Sequence, residues 1–193
     1  MLVENSLNFL NIGSQKWIDG ELDYLYYFDN RYKINEVALN SLSKVNSLFL
    51  DGVPISIDSD ENKFLFHSEY ILLRQNDIKT SLNNFQFTEN LRYISLDENN
   101  FNGGLPSYFF TYPRLENLSI EFNSLDGEIP ENLSNAKALK NLTLNNNNLI
   151  GSVPESICDL TELKVLHLQY NDLSEIPDCI CEMRRRGVEI ELY

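Results

Sequence analysis

Apolar residues in the carboxyl-terminal half of the chain recur in four blocks that superpose without a gap. The blocks begin at Leu91, Leu115, Leu139 and Leu163, a step of 24 residues each time. Their first, fourth and sixth places are apolar: Leu91/Ile94/Leu96, Leu115/Leu118/Ile120, Leu139/Leu142/Leu144 and Leu163/Leu166/Leu168. Apolar–polar alternation there predicts a short strand with one buried face. Asn fills the ninth place (Asn99, Asn123, Asn147, Asn171) and an apolar residue the eleventh (Phe101, Leu125, Leu149, Leu173). Gly103, Gly127 and Gly151 follow, then the pairs Leu105-Pro106, Ile129-Pro130, Val153-Pro154 and Ile176-Pro177. Such a period marks a solenoid, in which neighbouring blocks bury what no block can bury alone.

Each place has a physical role. An Asn column can donate to and accept from backbone groups where the chain leaves the strand. Gly permits a turn that a Cβ resists. Pro ends regular pairing and leads into a short helical or irregular return.

These residues resemble the leucine-rich repeat family, in its longer Gly-x-Ile-Pro variant with repeats of 24 residues. The resemblance implies an α/β solenoid: a right-handed superhelix with a concave parallel β-sheet and short helical or irregular convex segments. Steps of 23 back from Leu91 reach Ser68, Val45 and Leu22 and expose three divergent repeats. They read Leu22/Leu25/Tyr27 with Asn30, Val45/Leu48/Leu50, and Ile71/Leu73 with Asn76; the first place of one is degraded to Ser68, and Val53 stands in an Asn position. One domain is expected over 1–193: an N-terminal cap at 1–21 with Trp17, divergent repeats at 22–90, clear repeats at 91–186 and a capping strand at 187–193. Leu7-x-x-Leu10-x-Ile12 is out of register and is assigned to the cap. Pro177 to Arg186 reads as a helix stopped by Gly187, with Arg184-Arg185-Arg186 favouring its dipole. The alternating Val188-Glu189-Ile190-Glu191-Leu192 reads as a covering strand whose acidic side discourages edge pairing.

Twenty-nine acidic and 15 basic side chains give a net charge of −14. That balance disfavours nucleic acid and anionic membranes and steers basic partners toward the chain. No apolar run approaches the ~18 residues of a membrane span, and the start does not read as a signal peptide. A cytoplasmic location is therefore expected, with a secreted effector as the other reading. Three cysteines, Cys158, Cys179 and Cys181, are read as reduced thiols. Cys158 and Cys181 hold equivalent places in adjacent blocks, too far apart for a bridge if both segments are helical.

No cofactor and no metal is expected. Asp58, Asp60, Asn62 and Glu69 mimic the spacing of a calcium loop, but Lys63 stands where the turn glycine is required. The sequons at Asn117, Asn132 and Asn141 arise readily in Asn-rich repeats. His67 and His167 lie a hundred residues apart and have no adjacent nucleophile motif, so the chain is not read as an enzyme.

The resemblance makes the concave surface the protein-binding face. Its side chains are those between the leucines and just after them. Tyr70, Tyr93, Phe122 and Tyr170 supply aromatic anchors, Asp97, Glu98 and Glu121 an acidic cluster, and His167 a polar group on the same strands. The expected function is non-enzymatic binding of a basic protein partner by a monomer, as in an inhibitor or immunity protein. The alternatives are an exported bacterial effector that binds host proteins, or a hydrolase or transferase built on His167 and the acidic cluster.

Overall fold

The computed structural model describes residues 14–18, 21–27, 34–57 and 63–193. A nine-stranded sheet organises them. Ser14–Ile18 pairs antiparallel with Glu21–Tyr27, and seven parallel pairings then run to Glu189–Glu191. One register line passes through Tyr24, Ser47, Tyr70, Tyr93, Asn117, Asn141, Val165 and Glu189. The spacing of 23 and then 24 residues is therefore the literal pairing register of the sheet.

The core follows from that register. Leu48, Ile71, Ile94, Leu118, Leu142 and Leu166 stack in the middle of successive strands and are fully buried. Ser68, in the degraded first place, stays buried by donating its hydroxyl to the Val45 carbonyl. The Asn column works between repeats. Asn76, Asn99, Asn123, Asn147 and Asn171 donate through Nδ2 to the carbonyls of Leu50, Leu73, Leu96, Ile120 and Leu144, each in the preceding repeat, at 2.6–3.0 Å. Their Oδ1 atoms accept from the backbone N–H of Val53, Ile78, Phe101, Leu125 and Leu149. Backbone groups that leave the strand inside the core are thereby paired. Gly103, Gly127 and Gly151 adopt φ of 76°, 71° and 77°, a region that costs residues with a Cβ about 1 kcal/mol.

After the Pro residues the chain enters short 3-10 helices at Ser107–Thr111, Glu131–Asn135 and Glu155–Asp159. The divergent repeats keep helical pieces in their returns, an α-helix at Glu36–Ser41 and a 3-10 helix at Leu82–Asn84, and add an element that was not expected. Their convex side carries a strand pair, Phe64–Phe66 with Phe85–Phe87. The cause is local: Phe-x-Phe repeats every two residues and buries both rings of each strand. Phe85 contacts Phe64 at 5.1 Å and meets Phe101 edge-on at 5.2 Å, tying this aromatic layer to the first regular repeat.

The carboxyl end carries a helix at Ile180–Arg185, shorter than the expected Pro177–Arg186, then Gly187 at φ 90° and the strand Glu189–Glu191. Arg184 donates to the Ile190 carbonyl, which joins helix to strand. The cysteine reading is corrected. Cys158 and Cys179 form a disulfide with Cα atoms 6.0 Å apart, and Cys181 is free and exposed. Comparing Cys158 with Cys181 chose the wrong partner: Cys179 lies at the cap of the last helix, where the chain passes the preceding return segment. No helix among the described residues is long and apolar enough to cross a membrane. Leu7, Leu10, Ile12, Asn30, Asp58, Asp60 and Asn62 lie outside the described residues.

Candidate partner-binding surface

Residues two apart on a strand share a face, so the third and fifth places of each repeat flank the buried fourth. Tyr70 and Tyr93 are direct cross-strand partners on the exposed face, and both are half-buried. Burial and then the Asp97 carboxylate push the Tyr93 phenol above its ordinary value, against the pull of Arg74. Asp97, Glu98, Glu121, Phe122 and Tyr170 follow the carboxyl ends of the strands. Tyr70, Tyr93, Asp97, Glu98, Glu121 and Phe122 thus gather in three adjacent repeats. His167 and Tyr170 stand two repeats further along, beyond the Asn141–Thr143 strand.

Neutral groups hold the carboxylates in place. Asp97 accepts from the hydroxyls of Ser95 and Ser119 at 2.6 and 2.7 Å and from the Glu121 backbone N–H at 2.9 Å. Thr143 extends this line by donating to Ser119. Glu98 accepts from Gln75, and Glu121 from Asn145. Asp97 and Glu121 are therefore joined through backbone and hydroxyl donors, which offsets part of the repulsion expected between neighbouring carboxylates.

A second polar line, not anticipated, runs along the second places of the repeats. Glu69, Arg92, Glu116 and Lys140 alternate in sign and pair in sequence: Arg92–Glu69 at 3.5 Å, Arg92–Glu116 at 2.6 Å and Lys140–Glu116 at 2.6 Å. Hydrogen bonds from Lys140 and Arg92 hold the Glu116 carboxyl below its usual range. Bonds to Glu116 and Tyr70 raise Arg92. Reading every 23rd or 24th residue from Glu69 would have shown it. Asp51 and Arg74 form a further bidentate pair at 3.2 and 2.6 Å, which raises Arg74.

The eighth place has a backbone signature that alternation does not reveal. Gly52, Gln75, Glu98, Phe122, Asn146 and Tyr170 all have positive φ, between 51° and 66°. Phe122 and Tyr170 are 52% and 69% exposed there, so two rings with little cover sit where Gly serves in an early repeat.

His167 meets Glu189 at 3.3 Å, and Gln169 donates to Glu191 at 2.5 Å. Glu189 and Glu191 thus extend the concave acidic surface. Their strand pairs in parallel with Val165–His167 and ends the sheet. Among the sequons, Asn117 and Asn141 begin sheet strands and Asn132 lies in a convex 3-10 helix.

Residues 113–173 and 90–111 match two family models, both described as leucine rich repeat. No curated protein matches the chain. Among solved structures, the BIR3–SERK2 complex from Arabidopsis thaliana is 33% identical over 49% of this chain and 55% of that one, with a TM-score of 0.46. Internalin C2 from Listeria monocytogenes is 19% identical over 91% of this chain and 82% of its own, with a TM-score of 0.59. The plant peptide hormone receptor RGFR1, solved with RGF2, is 21% identical over 87% of this chain and 31% of its own, with a TM-score of 0.58. The chain spans about half the length of the BIR3–SERK2 chain that it matches. The last two likenesses concern the fold alone. Register, Asn column and family match agree: the chain carries leucine-rich repeats.

Proposed function

We propose that the protein is a recognition module that holds a basic segment of a protein partner on its concave sheet. The observation that carries this reading is a contrast between two polar lines. Carboxylates at the second places face cations, as Glu116 faces Arg92 and Lys140. Asp97, Glu98, Glu121 and Glu191 instead accept from hydroxyl, amide and backbone donors. Those neutral donors orient the carboxylates; Asp97 also feels the Arg74 cation, while Glu98 and Glu121 have no ion pair among the described residues, which suits Lys or Arg from a partner. Phe122 and Tyr170 add exposed rings on which such cations also stack. The binding mode is the masking of a basic surface, as an inhibitor would act. RGFR1, a peptide hormone receptor that shares the fold, was solved in complex with RGF2.

The Cys158–Cys179 disulfide favours an oxidising compartment, and so the exported reading over the cytoplasmic one. The test is capture from native lysate at low and high salt, comparing the parent with Glu98→Lys/Glu121→Lys and with the convex control Glu131→Lys/Glu155→Lys. Loss of the salt-sensitive partner from the concave variant alone is expected. Equal capture by both variants would overturn the reading. Asp97 is left unchanged because it also accepts from the Glu121 backbone.

A further inference from the structure

We propose that His167, Glu189 and Glu191 form a binding site for a divalent transition-metal ion of the zinc class. The residues come from two paired strands. Val165 lies opposite Glu189 and His167 opposite Glu191 in a parallel ladder, and that register places all three side chains on one face. One imidazole nitrogen and one oxygen from each carboxylate lie within 4.8 Å of one another, and His167 Nε2 already stands 3.3 Å from Glu189 Oε1.

Tetrahedral ligands at ~2.0–2.2 Å from zinc are roughly 3.4 Å apart, so the set closes on an ion with about 1 Å of side-chain movement. The Glu189 side chain is 65% exposed and free to supply it. Two carboxylates neutralise a divalent ion, and three protein ligands leave a fourth position open to water or to a partner group. The imidazole selects against calcium and magnesium, which take oxygen donors.

Gln169 fixes the orientation of one ligand of the set, as Asn145 does for Glu121 one repeat earlier. The Gln169 side chain is more than nine-tenths buried. Nε2 donates to Glu191 Oε2 at 2.5 Å, while Oε1 is buried without a donor. Nε2 and Oε1 belong to one planar amide, so the unpaired carbonyl is held beside the cluster. Orienting a ligating carboxylate from a second layer is how metal sites are tuned.

The test is calorimetric titration of chelator-stripped protein with zinc chloride, in a Cys181→Ser background that removes the exposed thiol. One ion per chain is expected, and no heat with calcium chloride. His167→Ala, Glu189→Gln and Glu191→Gln should each weaken binding by about tenfold or more, while His67→Ala leaves it unchanged. Glu189→Gln alters an exposed side chain, and its thermal unfolding should match the parent, which separates loss of the site from loss of the fold. Absence of binding would overturn the proposal, as would binding that survives His167→Ala and Glu189→Gln or is lost only in His67→Ala.

Discussion

Phe122 and Tyr170 occupy the same place in repeats two apart, with φ of 51° and 58°, and both rings are exposed. Gly52 holds that place in an early repeat at φ 66°. A left-handed backbone costs a residue with a Cβ about 1 kcal/mol; the eighth-place column shares it, and the exposed rings are what set Phe122 and Tyr170 apart. Phe122→Gly and Tyr170→Gly should leave stability to denaturant unchanged or raise it by up to about 1 kcal/mol. Both should weaken partner capture. A clear loss of stability in either would mean that the ring packs for the fold.

The Asn145–Asn148 run offers a comparison inside four residues. Asn147 donates to the Ile120 carbonyl at 2.8 Å and accepts from the Leu125 N–H at 3.0 Å, whereas Asn148 is exposed. Asn147→Ala leaves two buried backbone groups unpaired and should cost about 2–4 kcal/mol. Asn148→Ala should stay within about 0.5 kcal/mol. Urea denaturation of both variants measures the difference.

Glu116 sets a pH dependence. Its folded value is depressed by Lys140 and Arg92, so the stability it adds is complete above the unfolded carboxylate range. That stability is lost as the pH falls through the lower folded value. The gap between parent and Glu116→Gln should therefore be constant near neutrality and shrink below about pH 4.3. Because the pairs are partly exposed the gap is small, and added salt should reduce it further.

The disulfide predicts a thiol count. One reactive thiol per chain, Cys181, is expected without reductant in unfolded protein, and three after reduction. Closing a loop with a separation of 21 residues is worth about 3 kcal/mol in the chain-entropy account. Cys158→Ser/Cys179→Ser should lower stability by that order. Three reactive thiols without reductant would contradict the bond.

Residues with one repeating task were legible before any coordinates. Fourth-place residues such as Ile94 and Leu118 announce the buried face, and Asn99 to Asn171 announce the column that pairs backbone between repeats. Contacts made across repeats by chemically different residues were harder to read. Arg92 and Glu116 share a column but differ in charge, so the Leu pattern does not bring them together. Glu189 faces His167 only because the last strand joins in parallel, which alternation leaves open. Phe122 carries no composition signal for a left-handed backbone. Cys158 and Cys179 depart from the repeat step, so comparing equivalent places pointed to Cys181 instead.

Amide hydrogen exchange with and without the captured partner tests the concave-face account most directly. Slowed exchange confined to residues 93–98, 117–122 and 165–170 is the predicted result, with the 3-10 helices at Glu131–Asn135 and Glu155–Asp159 unchanged. Protection of those convex helices, with the concave strands exchanging as in the free protein, would contradict it.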